Sequence, residues 1–292
     1  MNALFKIKPV LLLLFIICSV PHITAQESDP ILDSLDIVFI KSHADSLDIN
    51  SLGNIFEIGS NDLYHGNNER GNRIIDFVLS NVEEPHYELL HAISVQNLKN
   101  GNYAIAFDNL EKASALDDEV YGYFGWVMLY YFRDYDRALK YLDIYDSLTP
   151  NFSDAPVGEN IDYLRGLAHL QLGQFQKAIT YFDQYISETT LEAGEDWVEV
   201  STFYYKGIAL FELGNFEKAK EYFELAISYN ETYTESYYYL YLSMKAMKKR
   251  KKEVLPIIKK AQELGAQGNF RTDVYVSFFY PVSMEMIEIE GN

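Results

Sequence analysis

The chain has 292 residues, 48% of them apolar and 15% aromatic, with 24 basic against 43 acidic side chains and a formal charge of −19. So acidic a surface repels nucleic acid and anionic membranes at long range, although screening over about 8 Å leaves room for a local basic patch. The only cysteine is Cys18, so no disulfide framework, thiolate metal site or thiol nucleophile exists beyond it, and the fold must rest on a packed apolar core.

The first segment, "MNALFKIKPVLLLLFIICSVPHITAQES", places Lys6 and Lys8 before an apolar run from Val10 to Val20, with Ala25 at the −1 position of a signal-peptidase site. The run is too short to span a ~30 Å hydrocarbon core, so residues 1–25 are expected to be a secretory signal. Removing Lys6 and Lys8 takes the formal charge from −19 to −21. The mature chain then starts at Gln26 and is periplasmic or secreted, with no membrane span of its own. An uncleaved leader would instead anchor it to the membrane. Lipidation at Cys18 is a third alternative, opposed by Ile17 where a small residue is normally needed.

Residues 26–86 read as an N-terminal helical cap. "DSLDI" occurs twice, from Asp33 and from Asp45, with Asp/Ser helix caps. "GNNERGNR" (Gly66–Arg73) has the G-x4-G spacing of a phosphate loop but lacks the following Lys-Ser/Thr, so it reads as a polar turn. "GNRIIDFVLSNVEEP" (Gly71–Pro85) fits the second helix of a decayed repeat.

A repeat then becomes plain. "LGQFQKAITYFDQYI" (Leu172–Ile186) and "LGNFEKAKEYFELAI" (Leu213–Ile227) share L-G-x-F-x-K-A-x-x-Y-F. The same grammar returns in "NGNYAIAFDNLEKAS" (Asn100–Ser114) and "FRDYDRALKYLDIYD" (Phe132–Asp146). An aromatic residue, an alanine and an apolar residue recur as Tyr103/Ala106/Leu110, Tyr135/Ala138/Leu142, Phe175/Ala178/Phe182 and Phe216/Ala219/Phe223. The last two of each set share one helical face, and the Gly-Asn or Gly-Gln pair before them is a helix stop and turn. Another helical run precedes each turn. Gly166 and Gly207 inside those runs cost about 1 kcal/mol against alanine, which implies that a neighbouring helix comes close there.

Helix A, tight turn, helix B in four copies resembles the tetratricopeptide repeat (TPR) family, whose pattern is W-x2-L-G-x2-Y … A-x3-F … P. The third and fourth units keep the glycine (Gly166, Gly207) and A-x3-F. The second keeps the closing Pro150, with Trp126 read at the glycine position; the first has Ser94 there and Asp118 for the proline. The resemblance implies an all-α, right-handed TPR superhelix (an α-solenoid) over residues 87–265. It would hold four clear and one or two degenerate helix-turn-helix repeats, with helical end caps. The aromatic segment 266–292 would fold back as a C-terminal capping tail.

Carrying the register forward puts helix A of a fifth unit at Ser236–Met247 and its turn at "MKKRK", with helix B starting near Glu253, so that Pro256 falls in its first turn. Lys248, Lys249, Arg250, Lys251 and Lys252 are then an inter-helix turn, with contact to an anion as a second role. No catalytic residue set, metal cluster or cofactor motif emerges: His86 and His91 are five apart, His43, His65 and His169 are isolated, and the acidic clusters lack calcium-loop spacing. The resemblance implies instead a concave face lined by helix A. At two of its positions stand Tyr123, Tyr163, Tyr204 and Tyr238, then Phe124, Tyr205 and Tyr239, with Tyr130 and Tyr131 near the end of the second unit's helix. Tyrosine offers rigid contact area and a hydroxyl at low entropic cost. These nine residues are the expected contacts for a protein or peptide partner of a non-catalytic scaffold. Ordinary inter-helix packing of the same rings, or a module holding a glycan or lipid fragment, are the alternatives. Only Lys99 and Lys245 are cations on this face, which disfavours an acidic C-terminal peptide.

Overall fold

In the computed structural model, every pair of helices turns on one residue in the left-handed backbone region. Residues 49–82, 85–150 and 152–291 are described; the expected leader at 1–25, His43, the first "DSLDI" and all but Ile49 of the second lie outside them. The chain divides into two compact units, Met1–Glu84 and Pro85–Asn292. Among the described residues there are thirteen α-helices and no strand.

The described part of the first unit is one antiparallel pair, α1 (Ile49–Tyr64) and α2 (Asn68–Ser80). The helices meet where Gly59 and Gly71 oppose each other, so that a Cβ on Gly71 would stand 2.9 Å from the Gly59 carbonyl oxygen. Gly66, at φ 82°, makes the turn. The segment read as a polar turn is thus a turn for its first two residues and helix from Asn68 onward.

The second unit stacks five pairs. They are α3 (Tyr87–Lys99) with α4 (Tyr103–Ser114), α5 (Val120–Val127) with α6 (Tyr135–Asp146), and α7 (Ile161–Gln171) with α8 (Phe175–Glu192). Then follow α9 (Val200–Glu212) with α10 (Phe216–Tyr229), and α11 (Thr234–Ala246) with α12 (Lys251–Ala266). A last helix, α13 (Met284–Gly291), packs on α12. This is a tetratricopeptide-type solenoid.

The turns share one hydrogen-bond pattern. Gly214, at φ 74°, donates to Phe211 O at 2.9 Å while Asn215 donates to Leu210 O at 2.9 Å. Gly101 and Gly173 repeat it, and so does Lys248, at φ 57°, with Lys249 donating to Met244 O at 3.0 Å. These paired bonds close a helix C-terminus, and they need the left-handed conformation that glycine adopts without steric cost. "MKKR" therefore does the work of "LGNF" with a lysine at the left-handed position. Lys251 and Lys252, read from sequence as part of this turn, belong instead to the first turn of α12. Helix formation starts two residues early because Arg250 takes an extended N-cap conformation and pairs with Glu253. Pro256 then lies beyond the first turn, leaving the Lys252 carbonyl without its usual i+4 donor. Of the inter-unit loops, Thr189–Glu192 is likewise helical, extending α8.

Within pairs, helix A approaches helix B at its glycine. A Cβ on Gly207 would stand 2.6 Å from the Phe223 ring, and one on Gly166 would meet Phe182 still closer. In the second pair this role belongs to Gly125, packed on Leu142, and not to Trp126 as read from the sequence. Eight residues separate Gly125 from the turn residue Arg133 (φ 55°), against seven from Gly166 to Gly173 and from Gly207 to Gly214. The extra residue is absorbed by a π-turn over Met128–Phe132, closed by Asp134 donating to Met128 O at 3.0 Å.

Between pairs, cations on helix A reach back to the preceding helix B. Arg165 on α7 donates to Asp143 at 2.6 and 2.9 Å and to Asp146 at 3.0 Å, both on α6. Lys206 on α9 pairs with Asp183 on α8 while lying 4.0 Å from the centre of the Tyr222 ring. Each cation is buried and paired, the arrangement that burial of charge requires.

Two substitutions test these joints. Gly207→Ala gains about 1 kcal/mol of helix propensity but drives a methyl into a fully buried ring, so a net loss of about 1–3 kcal/mol is expected in urea unfolding. Phe223→Leu in the same chain should recover part of it; a stabilised Gly207→Ala protein would refute the close contact. Lys248→Gly relieves left-handed strain and should raise stability by about 1 kcal/mol, whereas a loss would show that the lysine side chain stabilises the turn.

Candidate binding face

The nine aromatic residues singled out from the sequence do not form one open surface. Phe124 stands on the wrong side of α5, because the register there runs from Gly125. Its ring packs on Phe107 at 5.5 Å and Tyr141 at 4.6 Å, between α4 and α6. Tyr123 and Tyr131 join Trp126, at 5.9 and 5.7 Å between ring centres. Tyr123 also lies 4.5 Å from the His91 ring, whose burial pushes it down to about 4. Tyr239 is enclosed by Tyr204, Phe211 and Phe223, with Tyr238 edge-on at 5.4 Å.

Tyr130, Tyr163, Tyr204 and Tyr205 do share the helix-A face, but they are 5%, 5%, 1% and 1% exposed. The cover is the chain's own segment 269–283. It leaves α12 through a left-handed turn at Gly268, runs along the first helices of the pairs, and returns as α13. Its contacts are those of a bound peptide. The Arg271 backbone N–H donates to Glu235 at 2.8 Å, and its guanidinium donates to the hydroxyls of Tyr205 and Tyr233 at 3.1 and 3.3 Å while lying 3.8 Å from the Phe278 ring centre. Arg133 donates to the Ser277 carbonyl at 2.5 Å and stacks on Phe279. Phe279 also stacks on Tyr130, 5.5 Å between centres. The Tyr204 hydroxyl donates to the Tyr280 carbonyl at 2.8 Å. At the far ends Lys99 lies over Tyr275, and Lys245 pairs with Glu290 at 2.6 Å.

Sequence reasoning missed Tyr233, Glu235, Arg133 and Arg271. Tyr233 and Glu235 sit at the start of α11, outside the positions compared between units. Arg271 was hidden in a segment with no helical or strand period. Burial pushes the hydroxyls of Tyr130, Tyr163, Tyr204 and Tyr233 well above the ordinary phenol value, so they act here as neutral donors and acceptors.

The segment does not fill the face. A cavity of about 440 Å³ remains beneath it, with Trp126, Tyr130, Glu159, Tyr163 and Ser201 on the helix side. Tyr130 donates to Glu159 at 3.1 Å, and the hydroxyls of Tyr163 and Ser201 lie 2.9 Å apart. Burial holds the Glu159 carboxyl above its ordinary value, against the hydrogen bonds from Tyr130 and Trp126. The basic cluster lies elsewhere: Lys248, Lys249 and Arg250 in the α11–α12 turn and Lys251 and Lys252 at the start of α12 are all exposed. Among the described residues, no group of three or more His, Cys, Asp or Glu could hold a metal ion, and no helix is long and apolar enough to cross a membrane.

No curated protein matches the chain. Among solved structures, similar folds include a MamA double mutant (TM-score 0.53, 19% identity, 64% of this chain and 98% of that one) and MamA from residue 41 onward of Desulfovibrio magneticus RS-1 (0.53, 18%, 64% and 98%). A crystal structure of MamA protein is also similar (0.51, 19%, 62% and 92%). At these identities the likeness speaks for the fold alone, a tetratricopeptide-like stack of helix pairs. Over residues 68–236, more than half of its length, the sequence matches the family described as "T7SS, ESX-1 secretion system protein EccA1, N-terminal domain", and the chain belongs to that family.

Proposed function

We propose that the chain is a non-catalytic, extracytoplasmic scaffold whose helix-A face binds an extended protein or peptide segment. One observation carries this reading: segment 269–283 of the same chain already lies on that face. It is held through its carbonyl oxygens, one backbone N–H and aromatic stacking. Those are the contacts that recognise backbone rather than a small molecule. Tyr130, Tyr204, Tyr205 and Tyr233 therefore serve two masters. They hold the internal segment in the free protein and would meet a partner once it is displaced. The strongly acidic chain makes nucleic acid an unsuitable partner. The apolar leader at 1–25 supports a place outside the cytosol, periplasmic or secreted.

The rings themselves are poor targets for a test, since truncating a buried tyrosine to alanine leaves a cavity costing several kcal/mol. Loosening the internal segment is more informative. In the Arg271→Ala/Phe279→Ala protein, a labelled peptide of sequence NFRTDVYVSFFYPVS should bind saturably. It should bind the unaltered protein at least about tenfold more weakly, because a tethered segment competes at millimolar effective concentration. The same peptide carrying both substitutions should not bind. A folded variant that ignores the peptide, or takes both peptides alike, would overturn the groove assignment. Location is checked separately: protein isolated from its native cells should begin at Gln26, and recovery with the leader intact in the cytosolic fraction would refute it.

A further inference from the structure

The cavity under segment 269–283 has a chemistry of its own, distinct from peptide recognition. Glu159 lies at its edge, with one oxygen 3.5 Å from the Trp126 indole nitrogen and the other accepting from Tyr130 at 3.1 Å. The two rings are 5.3 Å apart between centres and inclined at 50°, forming two walls of a corner that the carboxylate closes. Tyr163 and Tyr275 contribute further aromatic surface. Glu199 and Asp273 also reach the cavity, so three carboxylates line it against the single guanidinium of Arg271. That guanidinium is engaged by the Tyr205 and Tyr233 hydroxyls and by Phe278. Among the described residues, neither Glu159 nor Glu199 has an ion-pair partner.

A half-buried carboxylate held in no salt bridge, with the hydroxyl-engaged Arg271 guanidinium acting on it only through space, attracts a weakly hydrated cation when set between ring faces. We propose that this cavity is a binding site for an organic cation, an alkylammonium or guanidinium group, with Glu159 as counter-ion and Trp126, Tyr130 and Tyr275 as the aromatic cage. The group comes either from a small molecule or from a lysine or arginine side chain of a bound protein. Because Tyr275 belongs to segment 269–283, an occupied cage requires that segment in place. This inference is independent of the peptide-binding reading.

The two tryptophans make a direct test possible. Trp197 is 73% exposed and is not among the residues that line the cavity, so Trp197→Phe leaves Trp126 as the only indole reporter. In that protein, choline, agmatine and N-acetyl-lysine amide are titrated against Trp126 emission, with dimethylbutanol as the uncharged carbon analogue of choline. A saturable change with at least one cation and a response at least about tenfold weaker with dimethylbutanol are expected. Glu159→Gln should weaken the cation by about tenfold with an unchanged far-ultraviolet spectrum, and Tyr275→Ser, on the exposed side of the cage, should weaken it by about threefold. Choline alone responding identifies a small-molecule source, and lysine amide alone identifies a side chain. Emission unmoved by every cation, an equal response to dimethylbutanol, or undiminished binding by both variants would overturn the proposal.

Discussion

Everything on the helix-A face depends on how close helix A comes to helix B. At Gly166 and Gly207 no side chain intervenes, and a phenylalanine ring from the partner helix occupies the place where a Cβ would stand. That contact fixes the rotation of helix A about its own axis, and the left-handed turn seven residues later fixes where the helix ends. Between these two points there is no freedom for a side chain to change sides. The second pair shows what happens when the spacing is wrong by one. A residue too many would rotate the rest of the helix by about 100°, and the π-turn at Met128–Phe132 takes up that rotation. Phe124 consequently packs in the interior while Tyr130, within the π-turn, rejoins the common face.

The face so aligned is rich in hydroxyl groups that cannot be left dry and alone. A buried phenol without a partner costs about 1–3 kcal/mol, and four of them lie side by side. Segment 269–283 supplies partners for three of them, a carbonyl for Tyr204 and a guanidinium for Tyr205 and Tyr233, while the Tyr130 hydroxyl donates to Glu159 and its ring is covered by Phe279. The rings that look like a partner's landing surface are thus satisfied within the chain. Any external segment has to offer equivalent groups and displace an internal competitor first.

This explains which parts could be read from the sequence. The repeat, the turns and the close approach at Gly166 and Gly207 are written in residues a few positions apart. There, helix periodicity and glycine's backbone freedom leave few alternatives. The exchange of Trp126 for Gly125 was not legible, because aligning backward from the turn assumes a helix of constant pitch. Nor was the covering segment: the contact from Tyr204 to Tyr280 spans 76 residues, and an irregular segment announces no partner through periodicity. Tyrosines on an inner face suggest binding, but whether they are free is settled by something far away in the chain. Carrying the repeat register forward made the turn at Met247–Arg250 legible, where Lys248 keeps the hydrogen bonds that glycine makes elsewhere, but not the helix start at Lys251.

The covering segment also decides the sign of the face. Arg133 and Lys99 are committed to it, through Ser277 and Phe279 and through Tyr275 respectively, whereas Lys245 pairs with Glu290 on α13. With the segment docked these cations are occupied, and what remains accessible in the cavity is dominated by Glu159, Glu199 and Asp273. With it displaced, the same face would present two cations and a row of tyrosine hydroxyls to an incoming chain. A cation in the cage and a partner on the face therefore require opposite positions of one segment. By linkage, each opposes the other by the same factor. A cation at a hundred times its dissociation constant would hold the segment down by about 2.7 kcal/mol, close to a hundredfold in partner affinity. A scaffold built this way needs no second domain to be regulated. Segment 269–283 would then be both the competitor of the proposed partner and one wall of the proposed cation site that strengthens the competition.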